Sequence, residues 1–319
     1  MSPSTSPLGH LLSLGLWHHA PGMSPQAGTE IFFLPRPGPR FSRVLPTPHL
    51  CSPLLTISTN TMYNPSSVAA PSSALVRALC FGYGLVAYAF FFGVFLYMIG
   101  FLAGVIVPKS VNSGTPVPLL EALLVNGGIL GLFAAQHMIM ARSWFKSAWT
   151  KIIPVAIERS TFVLVTSAIL ALLVWQWRPL PDVIWHVEGI GATVLWVLYG
   201  LGWGTVFLST FLIDHFELFG LRQVYLTFRG KSIDEPRFHE RLLYRVVRHP
   251  LMTGFLVAFW FTPHMSVGHL FFSVMCTGYI AVGVLIEERD LISTHGEAYL
   301  SYKRRVPSYI PFLKFGDRE

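Results

Sequence analysis

The feature that most limits what this chain can fold into is its succession of long apolar runs, at roughly 79–107, 119–141, 160–177, 188–213, 250–263 and 267–286. A helix that crosses the hydrocarbon of a bilayer needs about 20 apolar residues, and a helix satisfies its own backbone polar groups where no water can. Hydrophobic residues make up 52% of the sequence and charged residues only 12%, against about a quarter charged in soluble domains. The expected fold class is therefore all-α, a polytopic transmembrane helical bundle of five to six spans. The count has that range because the fifth run is short. Pro263 and Gly268 break it from the sixth, so the two are expected to form a tight hairpin in which the fifth spans incompletely.

Lysine and arginine sort the connections into two kinds. Arg142, Lys146, Lys151 and Arg159 follow the second run; Arg222, Arg229, Lys231, Arg237, Arg241, Arg245 and Arg248 follow the fourth; Lys303, Arg304 and Arg305 follow the last. The remaining connections carry little beyond Lys109 and Arg178. Positive charge collects on the cytoplasmic side, so both termini are expected there. These loops account for the net charge of +7, and no nucleic-acid partner and no obligate protein partner are inferred. Cys51, Cys80 and Cys276 have neither disulfide-framework nor metal-ligand spacing.

Residues 1–61 are of different material. They contain ten prolines, a single acidic residue (Glu30) and no sustained helical period, so a disordered extension is expected there, followed by a membrane domain over 62–319. The stretch from Met62 leads directly into the first apolar run, and translation is expected to start at or near it.

The polar residues at the run ends fall on one side of the expected topology. His137 and Arg142 close the second run, Glu158 and Arg159 precede the third, Asp214, His215 and Glu217 close the fourth, Arg248 and His249 open the fifth, and Glu287 and Glu288 close the sixth. Any one of these suits interfacial anchoring. Five ends with both signs and three histidines point instead to a polar site opening to the cytosol.

The segments "YRVVRHPLMTG", "EERDL" and "HGEAYLSYKRRVPSYIPF", in that order, resemble the C-terminal signature of the isoprenylcysteine carboxyl methyltransferase family of integral membrane enzymes. Upstream, "QHMIMARSWFK", "IERSTFVL" and "DHFELFGLRQVYL" resemble its bacterial methanethiol S-methyltransferase branch. The resemblance implies S-adenosylmethionine as cofactor, held at a cytoplasmic site formed by the last two helices and the C-terminal tail. It also implies methylation of a small thiol, methanethiol, to dimethyl sulfide in a bacterial inner membrane. Carried over position by position, the cofactor residues are Tyr244, His249, Pro250, Leu251, Met252 and Glu287, with Arg248 beside them. Pro250 suits the first turn of a helix, whose open N-terminus favours an anion.

Two departures bear on the substrate. Met252 stands where the family usually has an aromatic residue, and Gly283 where the isoprenylcysteine enzymes have the arginine that holds a substrate carboxylate. A small uncharged thiol needs no such guanidinium. His137, His215 and Glu217 are the candidate bases for forming the thiolate. Methylation of a lipid, an isoprenoid or another thiol remains open within the same fold. Outside it, the histidines leave open haem ligation or transport, although His264 and His269 lie on the side opposite His137, His215 and His249. The tail is expected to form an interfacial helix with Tyr299 and Tyr302 at headgroup level, ended by Pro307 and folded back over the site.

Overall fold

The computed structural model describes residues 73–233 and 242–310. The N-terminal extension, the start at Met62 and the side chains of Arg237 and Arg241 lie outside the described residues.

In chain order the elements are α1 (Ala74–Ala103), α2 (Leu119–Met140), α3 (Ser143–Trp149), α4 (Val155–Gln176), β1 (Val183–His186), α5 (Gly189–Ile213), α6 (His215–Leu218) and α7 (Leu221–Phe228). A 3-10 turn (Leu242–Arg245) then leads into α8 (Pro250–Trp260), β2 (His264–Ser266), α9 (Val267–His295) and α10 (Glu297–Arg305). Among the described residues five helices, α1, α2, α4, α5 and α9, are long and apolar enough to cross a membrane. Large apolar side chains such as Leu124 and Ile190 lie exposed on their outer faces, as expected of helices that meet lipid rather than water. The chain is a multi-pass membrane protein.

The fifth run differs from a spanning helix for a reason of length. Eleven residues rise about 16 Å, roughly half the hydrocarbon thickness. The expected tight hairpin between the last two runs contains a strand, β2, which pairs antiparallel with β1 and ties the start of α9 to the segment between α4 and α5. This short two-stranded sheet is an addition to the expected all-helical fold. It arises from pairing between segments far apart in sequence.

α8 is held against α5 by contact of bare backbone. A β-carbon on Gly202 would lie 2.6 Å from the Ala258 nitrogen, and one on Gly254 would lie 2.8 Å from the Gly202 carbonyl oxygen. Glycine on both helices permits this approach, the device by which membrane helices pack closely. A buried aromatic and aliphatic core including Phe101, Trp177, Trp203, Phe259 and Phe272 fills the space around it.

Side-chain ties separate the two ends of the bundle. At one end Asn126 exchanges two hydrogen bonds with the Arg178 backbone, and Trp177 donates to the Val111 carbonyl. At the other, Arg142 pairs with Asp290 at 2.9 Å, and Arg159 Nε donates to the Leu218 carbonyl at 2.8 Å. This second end gathers α3, α6, α7, α10 and the start of α8.

Candidate functional site

The site grows from the start of α8. Pro250 stands at its first position, where the missing N–H removes no helical bond. The two residues before it are tied to the tail: Arg248 N donates to the Pro307 carbonyl at 2.8 Å and His249 N to the Ser308 carbonyl at 3.1 Å. Thr253 Oγ1 donates to the Tyr309 carbonyl at 2.8 Å. α10 ends at Arg305 because Val306, preceding Pro307, is extended, as the proline ring requires of its neighbour. The tail therefore folds back on the RHP segment, as expected.

Its tyrosines are buried in the protein rather than exposed at a lipid surface. Tyr299 and Tyr302 are buried against Leu291 and Val306, and Tyr302 donates to the Tyr244 carbonyl at 2.8 Å. Packing against α9 draws the rings inward because that face of α10 meets protein.

Glu288 is the centre of the polar network. Its Oε1 accepts from Arg248 Nε at 2.9 Å and from His249 Nε2 at 3.3 Å, and lies 2.9 Å from Arg248 Nη2 in an ion pair. Its Oε2 meets Lys303 Nζ at 2.9 Å. Arg248 also donates to the Lys303 and Val306 carbonyls and to Ser308 Oγ, which engages four of the five N–H donors a guanidinium has. Arg248, expected among the cofactor residues, is committed to this network.

Beside this closed network lies an open one. Glu287 Oε2 is 3.8 Å from His249 Nδ1, while Glu287 Oε1, Tyr244 Oη and Tyr299 Oη are buried without a hydrogen-bond partner among the described residues. Buried polar atoms of this kind are uncommon, and a group of three calls for a ligand. Burial, reinforced by the nearby Glu287 carboxylate, holds the Tyr244 phenol above its ordinary range, so it is a donor at neutral pH. Burial outweighs the adjacent Glu288 carboxylate and lowers the pKa of His249, so its imidazole is neutral and one ring nitrogen is free to accept.

Leu251 and Met252 turn from this polar group to line an apolar cavity of about 250 Å³. Phe95, Phe133, Trp203 and Cys276 contribute to its wall, and His137, Arg159 and His215 are among its few polar residues. The candidate bases differ in their freedom. His215 has both ring nitrogens engaged, with Tyr88 Oη at 2.7 Å and Thr210 Oγ1 at 2.8 Å. Glu217 pairs with Arg222 at 2.6 Å and does not line the cavity. His137 Nδ1 meets Tyr279 Oη at 2.8 Å, and its Nε2 has no partner among the described residues. The histidines of the haem reading are dispersed: His269 bonds the Phe259 carbonyl at 3.0 Å, and His264 lies beside His186 on the strand pair.

Sequence reasoning placed Arg159 and Glu288 among the polar run ends and Tyr299 and Lys303 in the tail, but gave none of them, nor Ser308, a role in the site. An acidic pair opposite a basic segment signals a network, but which carboxylate of the pair enters it depends on helix rotation.

The chain is 51% identical over 237 residues to a methanethiol S-methyltransferase of Mycobacterium tuberculosis, covering 74% of this chain and 97% of that protein. It is 52% identical over 231 residues to methanethiol S-methyltransferase 2 of Bradyrhizobium diazoefficiens, covering 72% and 89%. A more distant likeness, 30% over 166 residues, is to a Nurim homolog of Drosophila pseudoobscura pseudoobscura, covering 50% and 66%. No family model and no solved structure matches.

Proposed function

The chain belongs to the methanethiol S-methyltransferase family, and on that premise we propose that it methylates methanethiol to dimethyl sulfide with S-adenosylmethionine, at the cytoplasmic face of a bacterial inner membrane. The observation that carries the cofactor reading is the set of unpartnered buried atoms, Glu287 Oε1, Tyr244 Oη and Tyr299 Oη, next to His249 and the start of α8. The cofactor's ammonium matches the Glu287 carboxylate, its hydroxyls match the phenols and the neutral imidazole, and its carboxylate matches the helix N-terminus. When bound, it supplies an electrophilic methyl group on a sulfonium.

The rest is the work of the chain's own residues. Glu288 and Arg248 hold His249 and residues 307–309 in place, so they position the site rather than touch the ligand. The tail, packed over Tyr244 and His249, excludes water from the polar pocket, which strengthens each charged contact there. Leu251 and Met252 join this pocket to the apolar cavity, where methanethiol is the acceptor. Its S–H bond would break, and its sulfur would take the methyl group that the bound cofactor would supply. His137, through its free Nε2, takes the proton. Opposite charges cancel in this displacement, so a dry cavity favours it, and alignment supplies much of the remaining rate.

The cytoplasmic side follows from charge. Arg142, Lys146, Lys151, Arg222, Arg229, Lys231 and Lys303 all belong to the end that carries the site, and positive charge stays inside. Vesicles containing the protein, given S-adenosylmethionine and methanethiol, should release dimethyl sulfide into the headspace. Methyl label in the lipid extract without dimethyl sulfide would replace this acceptor with a lipid.

A further inference from the structure

Arg159 is a buried cation with no ion pair among the described residues. Its side chain rises from the first turns of α4 and is 4% exposed. Nε donates to the Leu218 carbonyl at 2.8 Å, and the guanidinium carbon lies 5.3 Å from the centroid of Phe162. The terminal amino groups have no hydrogen-bond partner among the described residues. The charges around it are engaged elsewhere or stand off. Glu217 on α6 acts on it through space but is bonded to Arg222 at 2.6 Å. Glu158 on its own helix acts in the same sense, without an ion pair to Arg159. Lys146 on α3 and His137 on α2 feel its charge. Of the other titratable groups in the wall, His215 is bonded through both nitrogens, Tyr279 Oη meets His137 Nδ1, and Cys276 is a thiol among apolar neighbours.

Arg159 also lines the apolar cavity, together with His137, Leu251 and Met252. A guanidinium removed from water requires an anionic partner or acceptors for its donors. From this juxtaposition we infer that Arg159 holds the acceptor in the cavity as its thiolate, with the terminal amino groups donating to the sulfur. This deepens the methyltransferase reading and rests on it.

The chemistry assigns each part. An alkyl thiol is mostly protonated at neutral pH, and the thiolate is the nucleophile. A fixed cation beside the sulfur favours the ionised form, while His137 Nε2 receives the proton that leaves. Methanethiol has no other polar group, so the sulfur is the only atom through which a polar residue can recognise it. Specificity for a thiol over an alcohol follows, because an alcohol does not ionise here and leaves the guanidinium without its anion.

The test uses the full chain in vesicles with two acceptors, methanethiol and the far more acidic trifluoroethanethiol. Arg159→Met should lower kcat/KM for methanethiol by roughly ten- to a hundredfold, the equivalent of one lost charge-assisted bond. It should lower turnover of trifluoroethanethiol several-fold less, move the alkaline rise of the methanethiol pH profile upward, and leave S-adenosylmethionine affinity unchanged. Arg159→Lys keeps the charge and should keep the pH profile in place. Equal losses with both acceptors, or an unmoved pH profile in Arg159→Met, would overturn the assignment. A measurement on the unaltered protein stands apart from folding of the variants: with S-adenosylhomocysteine bound, added methanethiol should show no S–H stretching band in infrared difference spectra. A persistent S–H band overturns the inference. Absence of dimethyl sulfide from the unaltered protein would instead remove the methyltransferase reading itself.

Discussion

Arg248 and Glu288, forty residues apart in sequence, meet through Nε and Oε1 at 2.9 Å, and this pair joins the start of α8 to the end of α9 and to the tail. Removing one partner leaves the other buried with its charge uncompensated, which costs about 3–5 kcal/mol. Glu288→Ala is therefore expected to lower the thermal stability of the solubilised protein and to expose the segment around Pro307 to protease. Arg248→Lys should do nearly the same, because an ammonium offers three donors where the guanidinium uses four. A melting profile like that of the unaltered protein in both variants would contradict this.

The neighbouring carboxylate should behave oppositely. Glu287 Oε1 has no protein partner among the described residues, so Glu287→Gln should leave the melting temperature nearly unchanged. It should weaken S-adenosylmethionine binding by roughly ten- to a hundredfold, through loss of a charge-assisted bond of about 1.5–3 kcal/mol. Calorimetric titration beside thermal unfolding separates the two carboxylates.

Titration of His249 gives a pH expectation. Its folded pKa lies below the ordinary histidine value because it is buried. The unfolded chain therefore takes up this proton first as pH falls through about 6.5. Stability rises with pH wherever the unfolded state binds more protons, so this contribution is complete above about 6.5 and is lost on acidification below it. His249→Gln should reduce the acid slope of stability measured by thermal unfolding.

The glycine contact between α5 and α8 should resist any side chain. Gly254→Ala places a β-carbon 2.8 Å from both the Gly202 carbonyl oxygen and the Val206 nitrogen, so the backbones must separate at a cost of about 1–3 kcal/mol. Because α8 carries His249 at its start, activity should fall with stability. Gly278, with nothing within 4 Å of an added β-carbon, is the control, and Gly278→Ala should be tolerated in both assays.

The cavity is larger than methanethiol requires. A volume of about 250 Å³ should admit ethanethiol and propanethiol, which gas chromatography of the mixed methyl sulfides would detect. Leu170→Trp fills part of the wall and should reduce turnover of propanethiol more than that of methanethiol. Equal reduction would show that Leu170 does not bound the acceptor.

The long apolar helices, the side on which charge collects and the motif around Pro250 were all legible in the sequence. Each depends on local properties: run length against bilayer thickness, lysine and arginine in connections, and a proline at a helix start. The two short strands were not, since β1 and β2, four and three residues long, are too short to carry a pattern and become strands only by meeting each other. Nor was the division between Glu287 and Glu288. Adjacent helical residues point about 100° apart, and only the packing of α9 against α8 and α10 decides which carboxylate meets Arg248. The sequence by itself determined that this chain is a membrane-spanning bundle with a methyltransferase signature at one end, because hydrophobic length and residue order suffice for that. The tertiary structure alone decided that Arg248 closes the fold, that Tyr299 turns inward beside Glu287, and that Arg159 faces an apolar cavity with its amino groups unpartnered. Those outcomes depend on how distant helices rotate and approach, which no local pattern encodes.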